Sequence, residues 1–231
     1  YITNTAMGKV WMFDPLDTLC RATFELREQG YRTPYIVAWC GASEGPMIQA
    51  LYDRYYTENN PWADCFVYWE GKPFMIYTQP EAEFPLPELF TVRHMWGLTN
   101  EKCWRFLNIN NRNTVYKNDG VAEQLSVAVA SQETYMSMPT AHGRNGGKFF
   151  YDQWKEAFRV HPKVVTITWW NEWTAQRFIV DGQTAFVDNY NQEYSRDIEP
   201  MEGGHGDQYY QWMKQYIAAY KAGESCPKLT E

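Results

Sequence analysis

VVTITWWNEW, from Val164 to Trp173, is the stretch of sequence on which the fold prediction depends. Its first half, Val164 to Thr168, is a short run rich in β-branched residues, as expected for a buried parallel strand. Further apolar runs of strand length occur at Tyr35 to Cys40, Phe74 to Tyr77 and Gln124 to Ser131. Because helical patterns separate these runs, the chain is predicted to be a parallel α/β protein.

The helical patterns complete this prediction. Apolar residues at helical spacing, bounded by Gly or Pro, predict helices over Asp14 to Gln29, from Gly45 to Tyr55, over Phe149 to Arg159, and from Asp207 to Gly223. Weaker strand candidates are Tyr1 to Asn4, Cys103 to Leu107 and Ala185 to Val187. The total of about seven strands approaches the eight of a closed barrel. We therefore predict a (β/α)8 TIM-type barrel lacking about one N-terminal βα unit, as a single domain over residues 1–231.

Composition and charge narrow the class of ligand. The net charge is −7, without a basic stripe, so no nucleic-acid partner is expected. No apolar run reaches the roughly 18 residues of a membrane span, so no membrane partner is expected either. The opening residues Tyr1 to Asn4 lack the charged start of a signal peptide. The compartment stays open, with a periplasmic or secreted location favoured over the cytoplasm.

Cysteine content argues against a zinc site, whereas aromatic content is consistent with a sugar ligand. The five cysteines have no CxxC spacing, so buried, inert thiols are expected rather than a zinc site. The 11 Trp and 17 Tyr residues exceed what packing alone requires. Such rings stack on the C–H faces of sugars, although any single ring is more often part of the core.

Glu172 is the first candidate catalytic residue, because barrel enzymes present reacting groups at the carboxyl ends of strands. Neighbouring Trp rings would disfavour its ionised form, which suits a general acid. Asn171 is predicted to hold a sugar hydroxyl, with Trp170 and Trp173 as stacking surfaces. The competing interpretation is a structural Asn–Glu pair at the end of the strand.

Most glycosidases use two carboxyl groups, so Glu172 needs a partner. Glu133 and Glu199 are the best placed by their positions after strands, with Glu81 and Glu44 less so. Each of these could instead be an ordinary solvated loop carboxylate.

Further substrate contacts are predicted at other strand ends and in a glycine-rich loop. Trp39 ends one strand and Gln79 follows another, while His142 and Arg144 lie in the loop HGRNGG and could hold sugar hydroxyls or a uronate. No metal is assigned and no cofactor is expected. A Ca²⁺ site stays an alternative in an oxygen-rich stretch formed by Asp188, Asp197, Glu199, His205 and Asp207.

Four segments together carry a distant resemblance to a known family. They are WEGKPFMIY (Trp69–Tyr77), ITWWNEWTAQRF (Ile167–Phe178), SRDIEP (Ser195–Pro200) and GGHGDQYYQWMKQYIAAYK (Gly203–Lys221). The sequence resembles the family 99 and family-99-like glycoside hydrolases, of the endo-α-mannosidase type. The resemblance implies a (β/α)8 fold and a sugar substrate, with Asn171, Glu172 and Glu199 near the site. Which sugar is bound stays open, because Thr-Ala-Gln-Arg follows NEW where the family has an acidic residue and Gly.

The expected function is a bacterial glycoside hydrolase acting on a plant or microbial oligo- or polysaccharide through a Glu carboxyl pair. The alternative is a barrel that binds carbohydrate without cleaving it. A homo-oligomer is possible, since a missing barrel unit would expose strand edges.

Overall fold

The computed structural model describes residues 2–4, 13–41, 45–97, 102–107, 114–131, 141–172, 177–186 and 191–230. The chain divides into two compact units, Tyr1–Met95 and Trp96–Glu231. The prediction that residues 1–231 form a single domain stays a prediction. In the described ranges, no helix combines the length and the apolar character needed to cross a membrane.

The first unit is built on a five-stranded sheet. Its strands are β1 (Ile2–Asn4), β2 (Ala38–Cys40), β3 (Tyr68–Trp69), β4 (Lys72–Tyr77) and β5 (Thr91–His94). Strands β1, β2, β4 and β5 are parallel and adjacent in that order. Strand β3 pairs antiparallel with the start of β4. The parallel strands therefore present their carboxyl ends at one edge of this sheet.

Two helices, α1 (Phe13–Glu28) and α2 (Gly45–Tyr55), supply much of the core of this unit. Their apolar faces bury residues at helical spacing against the sheet, which explains why these segments are helices. The shared cluster includes Leu16, Cys20, Ile48, Leu51, Tyr55, Cys40, Met75 and Tyr77. Helix α1 is followed by Gly30, whose φ of +84° suits glycine.

The second unit contains a three-stranded sheet, a separate hairpin and two helices. Its elements are β6 (Tyr116–Asn118), β7 (Val121–Ala128), α3 (Lys148–Val160), β8 (Val164–Thr168), β9 (Arg177–Val180), β10 (Gln183–Phe186) and α4 (Gln208–Ala222). Strands β7 and β8 are parallel, and α3 lies between them in the chain. Strand β6 pairs antiparallel with β7, and β9 with β10.

Aromatic packing between α3 and α4 forms the core of the second unit. On α3, Phe150, Trp154 and Ala157 are spaced along one face and are at most 1% exposed. The ring of Trp154 stacks on that of Tyr216 from α4, with 5.5 Å between centroids. Both helices share this cluster with the buried side of β7, and Val165 and Ile167 of the neighbouring strand β8 pack against it.

The prediction of a (β/α)8 barrel lacking about one N-terminal unit is wrong. The described residues form separate sheets of five, three and two strands with four helices, and these sheets do not close into a barrel. Two-residue turns at Glu70-Gly71, Asp119-Gly120 and Asp181-Gly182 reverse the chain, and both residues of each turn have positive φ. This is the geometry of type I′ hairpins, which join antiparallel neighbours. Hairpins therefore replace the strict βα alternation that a barrel requires.

Candidate functional site

The segment that follows β8 begins the candidate site. Strand β8 ends at Thr168, the peptide bond between Thr168 and Trp169 is cis, and the chain continues to Glu172. The parallel register pairs Thr168 with Ala128, so β7 and β8 end at the same edge of the sheet. Trp173 lies outside the described residues. The structure thus describes Trp169–Glu172 at the carboxyl edge where parallel strands commonly hold ligands.

A second segment, Arg196–Glu199, runs alongside the first. The N–H of Trp169 donates to the carbonyl of Arg196 at 3.3 Å, and the N–H of Ile198 donates to the carbonyls of Trp169 and Trp170 at 3.1 and 3.0 Å. The N–H of Glu199 donates to the carbonyl of Trp170 at 2.9 Å. These backbone bonds hold the two segments side by side, although the bonded residues lie 27 to 29 positions apart in the chain.

Asp197 connects the two segments through its side chain. Its Oδ1 accepts a hydrogen bond from the backbone N–H of Glu172 at 2.6 Å, and the residue is 0% exposed. Arg144 holds Asp197 from the other side, since its Nη2 donates to the Asp197 carbonyl at 2.6 Å and to Ser195 Oγ at 3.2 Å. Two charged side chains, both buried, therefore determine where the backbone of Glu172 lies.

The carboxylate of Glu172 forms an ion pair. Its Oε2 lies 3.6 Å from Nη2 of Arg196, whose side chain is 2% exposed, whereas that of Glu172 is 32% exposed. A cation at this distance favours the charged form of a carboxyl group. The Glu172 carboxylate therefore has a buried guanidinium beside it, a partner that the neighbouring Trp rings gave no reason to expect.

Glu199, the second predicted carboxyl group, is in contact with Asn171. The Nδ2 group of Asn171 donates to Glu199 Oε2 at 3.1 Å. Asn171 is exposed and Glu199 is half-buried, so both reach solvent. The carboxyl groups of Glu172 and Glu199 are thus carried by two segments that are bonded to each other.

The tryptophans of this segment have different environments. Trp170 is 49% exposed, and its ring meets that of Tyr210 edge-on, at 79° and 5.7 Å. Trp169 is half-buried and packs on Phe106 at 5.1 Å. Trp170 therefore offers an open ring to a ligand, whereas Trp169 contributes to packing.

The predicted loop residue His142 borders a cleft of about 310 Å³. Its backbone N–H donates to the Ser131 carbonyl at 2.7 Å, and its carbonyl accepts from the Ser131 N–H at 2.9 Å. Its ring stacks on that of Phe149, with 6.3 Å between centroids. The other residues lining the cleft are Ala141, Gly143, Asn145, Lys148 and Asp152. His142 is half-buried and accessible from this cleft.

Arg144, the other predicted residue of that loop, is 3% exposed. Its guanidinium lies over the ring of Tyr209, 4.4 Å from the centroid. Burial lowers the pKa of Arg144, and nearby Tyr209 and Asp197 partly oppose that effect. A guanidinium remains charged in such a setting. Arg144 therefore contributes a buried positive charge that hydrogen-bonds the Asp197 segment and has little contact with solvent.

The remaining predicted residues lie in the first unit or outside the described residues. Trp39 and Gln79 belong to the first unit, where Trp39 is only 6% exposed and Gln79 is half-buried. Glu133 and the weaker candidate Glu44 lie outside the described residues. Glu81 accepts a hydrogen bond from the N–H of His94 at 3.2 Å, within the first unit.

Sequence reasoning missed Arg196 and the role of Asp197. The sequence suggests Asp197 only as a calcium ligand and assigns no role to Arg196. The available signal was the pair of opposite charges in SRDIEP, a short segment that ends in the candidate Glu199. Charged residues next to a predicted catalytic carboxyl are candidates for its partners.

The stretch considered for Ca²⁺ is engaged in protein contacts where it is described. Asp197 accepts from the N–H of Glu172, and Asp207 accepts from the Gln211 side chain at 2.8 Å, while Asp188 lies outside the described residues. Within the described ranges, no three His, Cys, Asp or Glu side chains come together as metal ligands. Comparisons with protein-family models, curated proteins and solved structures find no match to this chain.

Proposed function

We propose that this protein is a glycoside hydrolase acting on a plant or microbial oligo- or polysaccharide, with Glu172 and Glu199 as its carboxyl pair. One observation carries the proposal: backbone hydrogen bonds hold together the two segments that carry these carboxyl groups and the exposed ring of Trp170. Two carboxyl groups across a sugar-binding surface are what most glycosidases require.

The contacts of each carboxyl group support different roles. Arg196 favours the ionised form of Glu172, which suits attack on the anomeric carbon or activation of water. In the proposal, Glu199 protonates the glycosidic oxygen, and Asn171 orients Glu199 through the 3.1 Å hydrogen bond. Trp170 would carry a sugar ring on its open face.

The test is release of reducing ends from aryl glycosides and polysaccharides by the intact chain. Glu172→Gln and Glu199→Gln should each lower kcat by about 100-fold or more, the range for removal of a general acid or base. Glu202→Gln is the matched control, because Glu202 is exposed and lies just three residues beyond Glu199. If Glu172→Gln cleaves as fast as the unmodified chain, the proposal is wrong.

Glu133 stays a prediction for the second carboxyl group. If Glu133→Gln abolishes cleavage while Glu199→Gln does not, the pair is Glu172 and Glu133. The two variants therefore decide between the partners without any change to the assay.

A carbohydrate-binding protein without catalytic activity is the second candidate. The observation in its favour is that Arg196 and Asp197 already engage Glu172, as they would in a purely structural role. Binding of a saccharide that depends on Trp170, with no product from any substrate, would favour this candidate over the hydrolase.

A further inference from the structure

A second cleft lies in the first unit, separate in the chain from Glu172 and Glu199. Its volume is about 480 Å³, within the range of small-molecule sites. It is formed where the coil that precedes β2 meets the turn and strand around β3. Its lining residues are Arg27, Tyr35, Asp64, Phe66, Val67 and Tyr68.

Two tyrosine rings of this cleft are open to solvent. Tyr35 is 63% exposed and Tyr68 is 45% exposed, whereas Phe66, which also lines the cleft, is 2% exposed. Exposed aromatic rings that share one concave surface contribute little to the core. Their position on both walls of a cleft indicates a ligand with flat apolar faces.

The walls of the cleft are held in place by Arg27. Its Nε donates to Thr33 Oγ1 at 2.6 Å, its Nη1 to the Asp64 carbonyl at 2.6 Å, and its Nη2 to the Pro34 carbonyl at 3.3 Å. The same guanidinium lies over the Tyr35 ring, 4.7 Å from the centroid. One residue of α1 thus fixes both walls, so that the site exists before a ligand binds.

The backbone behind the cleft is equally well determined. Ile36 N–H donates to the Cys65 carbonyl at 2.8 Å, and Val67 N–H donates to the Ile36 carbonyl at 3.0 Å. These bonds join the coil that carries Tyr35 to the strand that carries Tyr68. The two segments that carry these tyrosines are therefore held in a fixed backbone register.

The polar groups of the cleft favour a neutral, hydroxyl-rich ligand. Asp64 is exposed, and its carboxylate can accept hydrogen bonds from hydroxyl groups. The negative charge of Asp64 opposes an anionic ligand, and the donors of Arg27 are already directed at a hydroxyl and two carbonyl groups. Burial, followed by the charge of Asp64, raises the pKa of Tyr68, so its hydroxyl keeps its proton and can donate.

We infer that this cleft is a saccharide-binding site in which Tyr35 and Tyr68 stack on sugar rings and Asp64 accepts their hydroxyl groups. The site adds to the proposed hydrolase activity and does not need it, because no residue of the cleft belongs to the Glu172 segment. A polysaccharide held here would stay on the protein between cleavage events.

The experiment measures binding of neutral cello-, manno- and xylo-oligosaccharides to the full chain by isothermal titration calorimetry. Glu172→Gln serves as the background, so that the ligand is not cleaved. Tyr35→Ala and Tyr68→Ala, each added to this background, should weaken binding about tenfold, as expected for loss of one stacked ring. Asp64→Asn should also weaken binding, because an amide accepts fewer hydroxyl groups than a carboxylate.

Tyr31→Ala is the matched control. Tyr31 is 62% exposed, almost as much as Tyr35, and lies on the same coil, but it does not line the cleft. Its removal should leave binding unchanged, and thermal unfolding of each variant would confirm that the chain still folds. Trp170→Ala, in the same background, separates any binding at the Glu172 segment from binding in this cleft.

The possible results are distinct. Binding that Tyr35→Ala and Tyr68→Ala weaken, but Tyr31→Ala does not, supports the inference even if no substrate is cleaved. Equal binding by all variants, or no binding of any neutral oligosaccharide, overturns it. In those cases, cleavage that Glu172→Gln abolishes would leave the proposed hydrolase function standing.

Discussion

The backbone N–H of Glu172 donates a hydrogen bond of 2.6 Å to Oδ1 of Asp197, a residue with no exposed surface. This bond joins the segment after β8 to Arg196–Glu199, which begins 24 positions after Glu172 in the chain and contains no helix or strand. Because Arg144 in turn holds Asp197 by its carbonyl, the position of Glu172 depends on three parts of the sequence.

Asp197 is therefore predicted to be a positioning residue. Asp197→Ala leaves the Glu172 N–H without its acceptor, which should lower the free energy of unfolding by about 1–3 kcal/mol. Displacement of Glu172 should lower kcat by about 100-fold with a smaller change in KM. Asp197→Asn keeps an acceptor oxygen and should recover most of kcat. Steady-state kinetics and urea unfolding test both effects, and an equal loss of kcat in the two variants would contradict a positioning role.

Trp170 and Trp169 are neighbours that should respond differently to removal of the ring. Trp170→Ala should raise KM about tenfold, because the variant loses the ring on which a sugar would stack. It should hardly change stability, because about half of the Trp170 side chain is exposed. Trp169→Ala should instead lower the free energy of unfolding by about 2 kcal/mol, through loss of its contact with Phe106. Kinetics and urea unfolding of the pair make the comparison. A large loss of stability in Trp170→Ala would show that its ring belongs to the core.

The local elements of the fold were largely predictable from sequence. The helix predicted over Asp14 to Gln29 is observed as Phe13–Glu28, and that over Phe149 to Arg159 as Lys148–Val160. The strand Val164–Thr168 is observed with the predicted limits. These segments have strong apolar periodicity or a β-branched run, so local physics decides their conformation.

The way in which the strands are arranged was not predictable from the same patterns. Asp119-Gly120 and Asp181-Gly182 are hairpin signals that the prediction did not use, and each joins two antiparallel strands. Cys103 to Leu107 was predicted as a weak strand, but no strand forms there. An apolar run specifies burial, whereas the choice between hairpin and crossover depends on short turns and on contacts distant in sequence.

The candidate site, too, was only partly predictable from sequence. Glu172, Asn171 and Trp170 follow a strand directly, and so their place at its carboxyl end could be inferred from sequence. The ion pair of Glu172 with Arg196 is not specified by any periodic pattern: the charges in SRDIEP mark Arg196 as a candidate partner but do not place residue 196 beside residue 172. Burial of Arg144 was also not predictable, because the sequence of a glycine-rich loop does not indicate which side chains point inward.

Gly147 is predicted to be intolerant of any side chain. It has a φ of +90°, and a Cβ atom there would lie 2.3 Å from Cζ3 of Trp212. Gly147→Ala should lower the free energy of unfolding by about 3 kcal/mol, from backbone strain and the clash together. Gly146→Ala is the control: its φ is +59° but a Cβ meets nothing within 4 Å, so about 1 kcal/mol is expected. Urea unfolding measures both, and similar losses would exclude the contact with Trp212 as the cause.

His205 is predicted to make the stability of the second unit depend on pH. Burial lowers the pKa of His205 below its usual 6.5, and the positive charge of Arg144 lowers it further. The folded protein therefore binds this proton less readily than the unfolded chain. The stabilisation that comes from neutral His205 is fully present above pH 6.5 and is lost as the pH falls through the folded pKa. His205→Gln should remove this part of the loss, which urea unfolding between about pH 7.5 and about pH 5 would measure. His161→Asn is the control, because His161 is exposed at the end of α3 and Asn tolerates its positive φ. If His205→Gln loses stability toward acid as steeply as the unmodified chain, the acid sensitivity comes from other groups.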